Sequence, residues 1–424
     1  MSKKLYSQII VFAMLTVMLF TFTVGAQEQV ELKFLHRWTQ EPDNGFFEEV
    51  VAEYEKQNPN VKIDMQVIAN DPFKEKIKII LGTENAPDVF FTWPGEFTNR
   101  FIRANQIMDL TPYMEEGWGD TFINSVVEPF KYNEKIYGAP YRLDAKVFVY
   151  NTKIFDEVGV EVPETWPEFL DVLEKIDNAG YTPIAFGNMF PWAVSHYIGQ
   201  LNAKCVPYEE YMADLDPATG DFAHPGYVQA LEKYAELTPY FNASANAIRH
   251  DEARANLING QAAMMYLEII EIPELQKTAP QEFLDNYDVF VMPDIPNGAG
   301  DQSALIGYPE GFVVAANTKH PEEAVKFLKY LTGKEVGKKE AQDLGFVNGI
   351  KNVVDKGEIP ESIYSTTQLV LETERLVNWF DSSLHAEIWS VAGSELQKIT
   401  DGVTTPEAAM ERIRNAAEDV RAQF

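Results

Sequence analysis

The order in which strands and helices alternate over the first hundred residues limits the fold of this chain more than any other feature. "VELKFLHRW" (Val30–Trp38) reads as an apolar strand. "NGFFEEVVAEYEKQNP" then puts Phe46, Phe47, Val50, Val51 and Tyr54 on one helical face and stops at Asn58-Pro59. "VKIDMQVI" (Val61–Ile68) predicts a second strand, "PFKEKIKIIL" a second helix and "PDVFFTW" a third strand, ended by the breakers Pro94 and Gly95. A β-α-β-α-β order requires a parallel or mixed sheet flanked by helices, so the chain is α/β.

The pattern resumes further on. "AKVFVYN" (Ala145–Asn151) predicts a strand, and "PETWPEFLDVLEKIDNAG" a helix that Thr165 and Glu168 open as a T-x-x-E capping box. "TPIAFG" leads as a strand into the helix "PWAVSHYIGQL"; "YDVFVMP" and "GFVVAAN" are strands; "PEEAVKFLKYLTG" and the tail from Thr404 are helices. A chain of 424 residues can build two cores. No repeat, heptad or long linker marks a boundary, as expected of a chain that passes between two lobes several times.

The first 26 residues stand apart. Lys3-Lys4, the apolar run Ile9–Phe22 and the small residues Val24-Gly25-Ala26 predict a secretory signal peptide cut before Gln27. No cysteine follows the apolar run, so a lipid anchor is not indicated, and export to the periplasm is expected. Cys205 is the only cysteine; it can form no internal disulfide and reads as a small buried hydrophobe. The formal charge of −30 argues against nucleic acid or an anionic membrane as partner. The six histidines show no metal-ligand spacing, and no G-x-G-x-x-G after a strand, P-loop or G-x-S-x-G elbow is present. No cofactor is called for, and no catalytic constellation is visible, although two of the 65 acids could still converge in space as a glycosidase pair.

Five segments in order carry a resemblance: "FLHRWTQEPDNGFFEEVVAEYEKQNPNVKIDMQV", "PDVFFTW", "KIYGAPYRLDAKVFVYNTKIFDEVGVEVPETWPEFLDVLEKI", "GQAAMMYL" and "GYPEGFVVAANTKHPEEAVKFLKYLTG". Together they resemble the family 1 extracellular solute-binding proteins of ABC importers, the group that includes maltose-binding protein. Tyr141-Arg142 and Glu268-Ile269-Ile270 depart from the family pattern at positions that border the ligand in relatives. The resemblance implies a periplasmic-binding-protein-like fold: two α/β lobes, several hinge crossings and closure on a ligand in the interlobe cleft. It implies crossings near Leu143–Lys146, Asp288–Met292 and Gly345–Gly349. Lobe 1 is expected at 27–144 plus 293–345, and lobe 2 at 145–292 plus 346–424. The expected partners are a sugar and the importer's permease subunits, with the protein itself a monomer.

Sugars present apolar faces to aromatic rings and hydroxyl edges to carboxylates, amides and Arg. Trp38, Trp93 and Trp192 sit just beyond strands, at the expected cleft edge, with Glu41, Glu96 and Asn188 nearby. Arg142 and Asp144 are two residues apart on the first crossing and so share a strand face, as a ligand pair or as a plain salt bridge. Tyr266 with Glu268, Tyr308 with Glu310, and Trp379 with Asp381 complete the candidate set. Trp166 reads as lobe packing, and Trp118 and Trp389 as core or surface. A non-sugar solute such as a polyamine, an acidic sugar held by Arg142, and an exported glycoside hydrolase are the alternatives.

Overall fold

The computed structural model describes residues 29–424 apart from residues 347, 372 and 374; the expected signal peptide lies outside the described residues. The elements that build the site are, in chain order, β1 (Val30–His36), α1 (Asp43–Gln57), β2 (Val61–Val67), α2 (Asn70–Ile80), β3 (Val89–Thr92) and α3 (Glu96–Arg103). There follow β4 (Ala139–Pro140), β5 (Lys146–Asn151), α4 (Trp166–Asn178), β6 (Thr182–Ile184), α5 (Trp192–Cys205), β7 (Ala262–Glu268) and α6 (Ile272–Thr278). The remainder includes β8 (Tyr287–Phe290), β9 (Leu305–Ile306), β10 (Gly311–Val314), α7 (Pro321–Leu331), α8 (Lys334–Asp343), β11 (Leu376–Val377), α9 (Phe380–Ser383), α10 (Ala386–Thr400) and α11 (Pro406–Arg421).

Two sheets organise the lobes. One runs β2-β1-β3-β10-β4, with β1 parallel to β2 and β3 while β10 runs against β3 and β4. The other runs β8-β5-β7-β6, and β9 pairs with β11 as a separate two-stranded ribbon. β3 explains the opening pattern: all four residues of "VFFT" are buried, because helices cover both faces of a mixed sheet. β1 ends at His36, two residues before the expected Trp38. Its register with β2 closes at the His36–Val67 pair, and Arg37 and Trp38 then leave the sheet.

Local signals hold where they were readable. The amide N–H of Thr165 donates to Glu168 Oε2 at 3.0 Å, within the expected capping box. Trp166 is core, its indole N–H donating to Glu236 Oε2 at 2.6 Å, and Trp118 is buried as well. α5 is buried along almost its whole length. A helix with so much polar content can be buried only if its side chains are bonded. Gln200 Nε2 donates to the Ala304 carbonyl at 2.7 Å and its Oε1 accepts from the Ile306 amide at 2.6 Å; Lys204 donates to Asp294 at 3.0 Å. Cys205 ends this helix fully buried, and burial pushes its thiol up to about 12.

The first crossing falls at residues 141–145, between β4 of one sheet and β5 of the other. The second passes from β8 to β10. Just beyond the third expected crossing, Ile350 bridges Phe122, and the Lys351 amide donates to the Thr121 carbonyl at 2.9 Å. Among the described residues no helix is long and apolar enough to cross a membrane.

Candidate functional site

The sheet directions decide which side chains meet. β1 and β3 are parallel and β10 is antiparallel to β3, so the carboxyl ends of the first two share an edge with the amino end of the third. That edge delivers Arg37, Trp38, Trp93 and Glu310. The other sheet contributes Glu268 from the end of β7, and Trp192 and His196 from the start of α5. Arg142 and Asp144 stand between them on the first crossing. Backbone bonds lock that crossing: Glu310 N–H to the Arg142 carbonyl at 2.8 Å, and Ile269 N–H to the Ala145 carbonyl at 2.9 Å. Together they line a cavity of about 500 Å³ between the lobes.

Four tryptophans face this cavity. Trp38 stacks on Phe47 at 5.1 Å and meets the edge of Phe91 at 5.0 Å. Trp93 stands edge-on to Phe91 at 4.6 Å and Phe97 at 5.1 Å, while Trp379 lies 4.3 Å from His196 and Trp192 4.8 Å from His250. Trp93 is only 7% exposed and Trp379 4%, so each offers a rigid strip of ring from the wall. Trp38 and Trp192 are half-buried and offer more.

Ions of both signs fill the gaps. Arg37 pairs with Glu310, whose Oε1 also accepts the Trp93 indole N–H at 3.2 Å. Lys74 of α2 pairs with Asp381 at 2.8 Å, and Ser195 of α5 donates to the same carboxylate at 3.1 Å. Arg142 is held by Glu340 and Asp43, both at 2.7 Å, and lies 4.4 Å over Trp38. Lys146 approaches Glu268 at 3.7 Å. Burial, then the neighbouring Glu268 and Glu310 carboxylates, push the Asp144 carboxyl well above its ordinary range; burial also raises Glu268. Burial, reinforced by Lys146, holds His196 well below the usual imidazole range. Burial would raise Glu271 too, but His250 and Arg254 outweigh it and hold that carboxyl below its ordinary range.

Of the fourteen sequence candidates, Trp38, Glu41, Trp93, Arg142, Asp144, Trp192, Glu268, Glu310, Trp379 and Asp381 border the cavity, and the other four do not. Glu96 opens α3 and turns away to a two-bond ion pair with Arg103, because a carboxylate at a helix start with an Arg seven residues on finds its partner locally. Asn188 is fully buried, bonded to Asn246 Oδ1 at 2.6 Å and capping the Val194 amide. Tyr266 points into the second lobe among Phe148 and Tyr197, at 4.7 and 4.9 Å. Tyr308 is partly buried and lines no part of the cleft. Arg142 and Asp144 do not pair with each other; Arg142 is taken by Glu340 and Asp43.

The sequence candidates omit Arg37, Lys74, His196, His250 and Glu271, which border the same cavity. One of these left a signal. His196 lies four residues after Trp192 in α5 and so shares its helical face. The others come to the cleft from tertiary placement.

A molecule with polar and aromatic surface turned inward between two lobes, each built on its own sheet, is a cleft-binding protein, built to enclose a solute. The chain belongs to the family described as bacterial extracellular solute-binding protein, which its residues 38–338 match. It is 23% identical over 365 residues to the xylose/arabinose-binding protein XacG of Haloferax volcanii, covering 82% of this chain and 76% of that one. The multiple sugar-binding protein of Streptococcus mutans is 24% identical over 308 residues, 67% of each chain. Among solved structures, one from work on xylan utilization by Caldanaerobius polysaccharolyticus matches with a TM-score of 0.84 at 25% identity, covering 91% of this chain and 99% of that one. A chitin oligosaccharide binding protein matches in fold with a TM-score of 0.83 at 22% identity, covering 93% and 99%.

Proposed function

We propose that this chain is the periplasmic substrate-binding component of an ABC importer and that it carries a sugar or oligosaccharide. The observation that carries the reading is the cavity itself: four tryptophans interleaved with carboxylates and cations around about 500 Å³. Rings cover the apolar faces of a pyranose, and charged groups bond its hydroxyls about twice as strongly as neutral ones. The names of the relatives above point the same way. The lobes close on the ligand about the crossings, and the closed form is what the permease subunits distinguish. The leader is cut before Gln27, the mature protein is a monomer, and no bond in the ligand is broken.

The test is a titration with xylo-, chito- and malto-oligosaccharides and raffinose, followed by tryptophan fluorescence. A saturable change with at least one saccharide is expected, with that saccharide intact after overnight incubation. Tight binding of a non-saccharide solute with no response to any sugar would refute the reading, and released monosaccharide would make the protein a hydrolase.

A further inference from the structure

Asp144, Glu268 and Glu310 are brought to the floor of the cavity by backbone pairing. Glu310 bonds through its amide to the Arg142 carbonyl, two residues before Asp144, and Glu268 is the register partner of Lys146, two residues after it. These three carboxylates face only two cations. Arg37 takes Glu310, and Lys146 stands 3.7 Å from Glu268. Among the described residues no Lys or Arg pairs with Asp144, which is 2% exposed and whose Oδ1 accepts only the adjacent Ala145 amide at 2.8 Å. Glu310 Oε2, on a residue 2% exposed, is an acceptor without a hydrogen-bond partner among the described residues, and His196 Nδ1, on a residue 5% exposed, has no hydrogen bond although it lies 3.4 Å from Glu268 Oε1; elsewhere along the cavity Arg37 Nε, Arg142 Nη2, His250 Nδ1 and Asp43 Oδ1 also lack hydrogen-bond partners. Of the other cations lining the cavity, Lys74 is engaged by Asp381, Arg142 by Glu340 and Asp43, and Arg249 by Asp251, while Lys277 donates to the Leu344 carbonyl at 3.3 Å.

The floor therefore holds one buried carboxyl without a cation, Asp144, and one acceptor without a donor, Glu310 Oε2. A sugar hydroxyl brings one donor and no charge. A protonated amine brings three donors and one positive charge, which matches both deficits. Resting on the saccharide reading above, we propose that the cleft selects an amino sugar, with its ammonium seated against Asp144 and Glu310. Without such a ligand, Asp144 meets the same deficit by holding a proton, as its raised titration range allows.

The test is calorimetry on the mature protein at neutral pH with short oligomers of glucosamine, N-acetylglucosamine and glucose in one linkage, which differ at C2 as ammonium, acetamide and hydroxyl. Exchanging a neutral for a charge-assisted hydrogen bond favours the ammonium form by at least about tenfold. In Asp144→Asn this preference should fall to about twofold or less; if that variant does not fold, the three-ligand comparison on the natural chain decides alone. Acetamide or hydroxyl oligomers that bind as well as the amine overturn the inference, as does an Asp144→Asn protein that keeps the full preference. Binding of a neutral saccharide from the wider panel, with no response to the amine, overturns it while leaving the saccharide reading standing. No binding of any saccharide overturns both, and spermidine is included to show whether a non-sugar amine takes their place.

Discussion

His36 closes β1 with its imidazole fully buried, stacked on Phe47 at 4.4 Å, and neither ring nitrogen has a hydrogen-bond partner among the described residues. Burial, with Arg142 and then Arg37 nearby, lowers its pKa from 6.5 to about 3. The folded protein thus keeps this ring neutral where the unfolded chain would protonate it. Below pH 6.5 the unfolded state binds more protons, so stability is complete above that value, falls with acidification, and levels off near 3. Each pH unit inside the window costs about 1.4 kcal/mol per proton, which makes about 2 kcal/mol by about pH 5. That is a sizeable part of the roughly 5–15 kcal/mol that holds a typical domain together. His36→Phe keeps an aromatic ring and removes the titration. Urea unfolding of both proteins at neutral pH and at about pH 5 yields a double difference, in which all other titrating groups and any repacking cost cancel. The variant is expected to lose about 2 kcal/mol less than the natural chain on acidification. Equal losses in the two proteins would refute the argument and place the acid sensitivity elsewhere.

Two further predictions separate scaffold from cleft. Glu96→Ala removes the partner of Arg103 and should lower stability by about 1–3 kcal/mol in urea unfolding while leaving ligand affinity within about twofold, since Glu96 does not border the cavity. A large loss of affinity in calorimetry would return Glu96 to the binding set. Lys74→Met breaks the 2.8 Å bridge from α2 of the first lobe to Asp381, which Ser195 of the second lobe also holds. The unliganded protein should then show a larger radius of gyration by small-angle scattering, and an unchanged value would mean that the bridge does not hold the lobes together.

Much of the fold was legible in the chain because its signals are local. The 3.6-residue face of "NGFFEEVVAEYEKQ", the three apolar residues of "VFFT" and the Thr165–Glu168 box each depend only on neighbours in sequence, and each forms where it was expected. The strand-end position of Trp38 and Trp93 was equally local, and both border the cavity. Trp93 is nevertheless almost buried, so its ring is a strip of wall more than a free platform.

What the tertiary structure alone decided is the pairing of charges. Glu96 and Glu310 are alike as sequence candidates, each beside an aromatic at a strand end. One is turned away from the cavity to Arg103 on its own helix, and the other meets Arg37 and Trp93 across 273 and 217 residues of chain. Arg142 is claimed by Glu340, 198 residues away, which leaves Asp144 without a cation. An isolated sequence carries the order of strands and the faces of helices, since both follow from the period of the backbone. Which carboxylate is neutralised and which remains for a ligand depends on distances between segments that only the closed sheets set, because the Coulomb energy of a pair depends on separation and burial and not on sequence spacing.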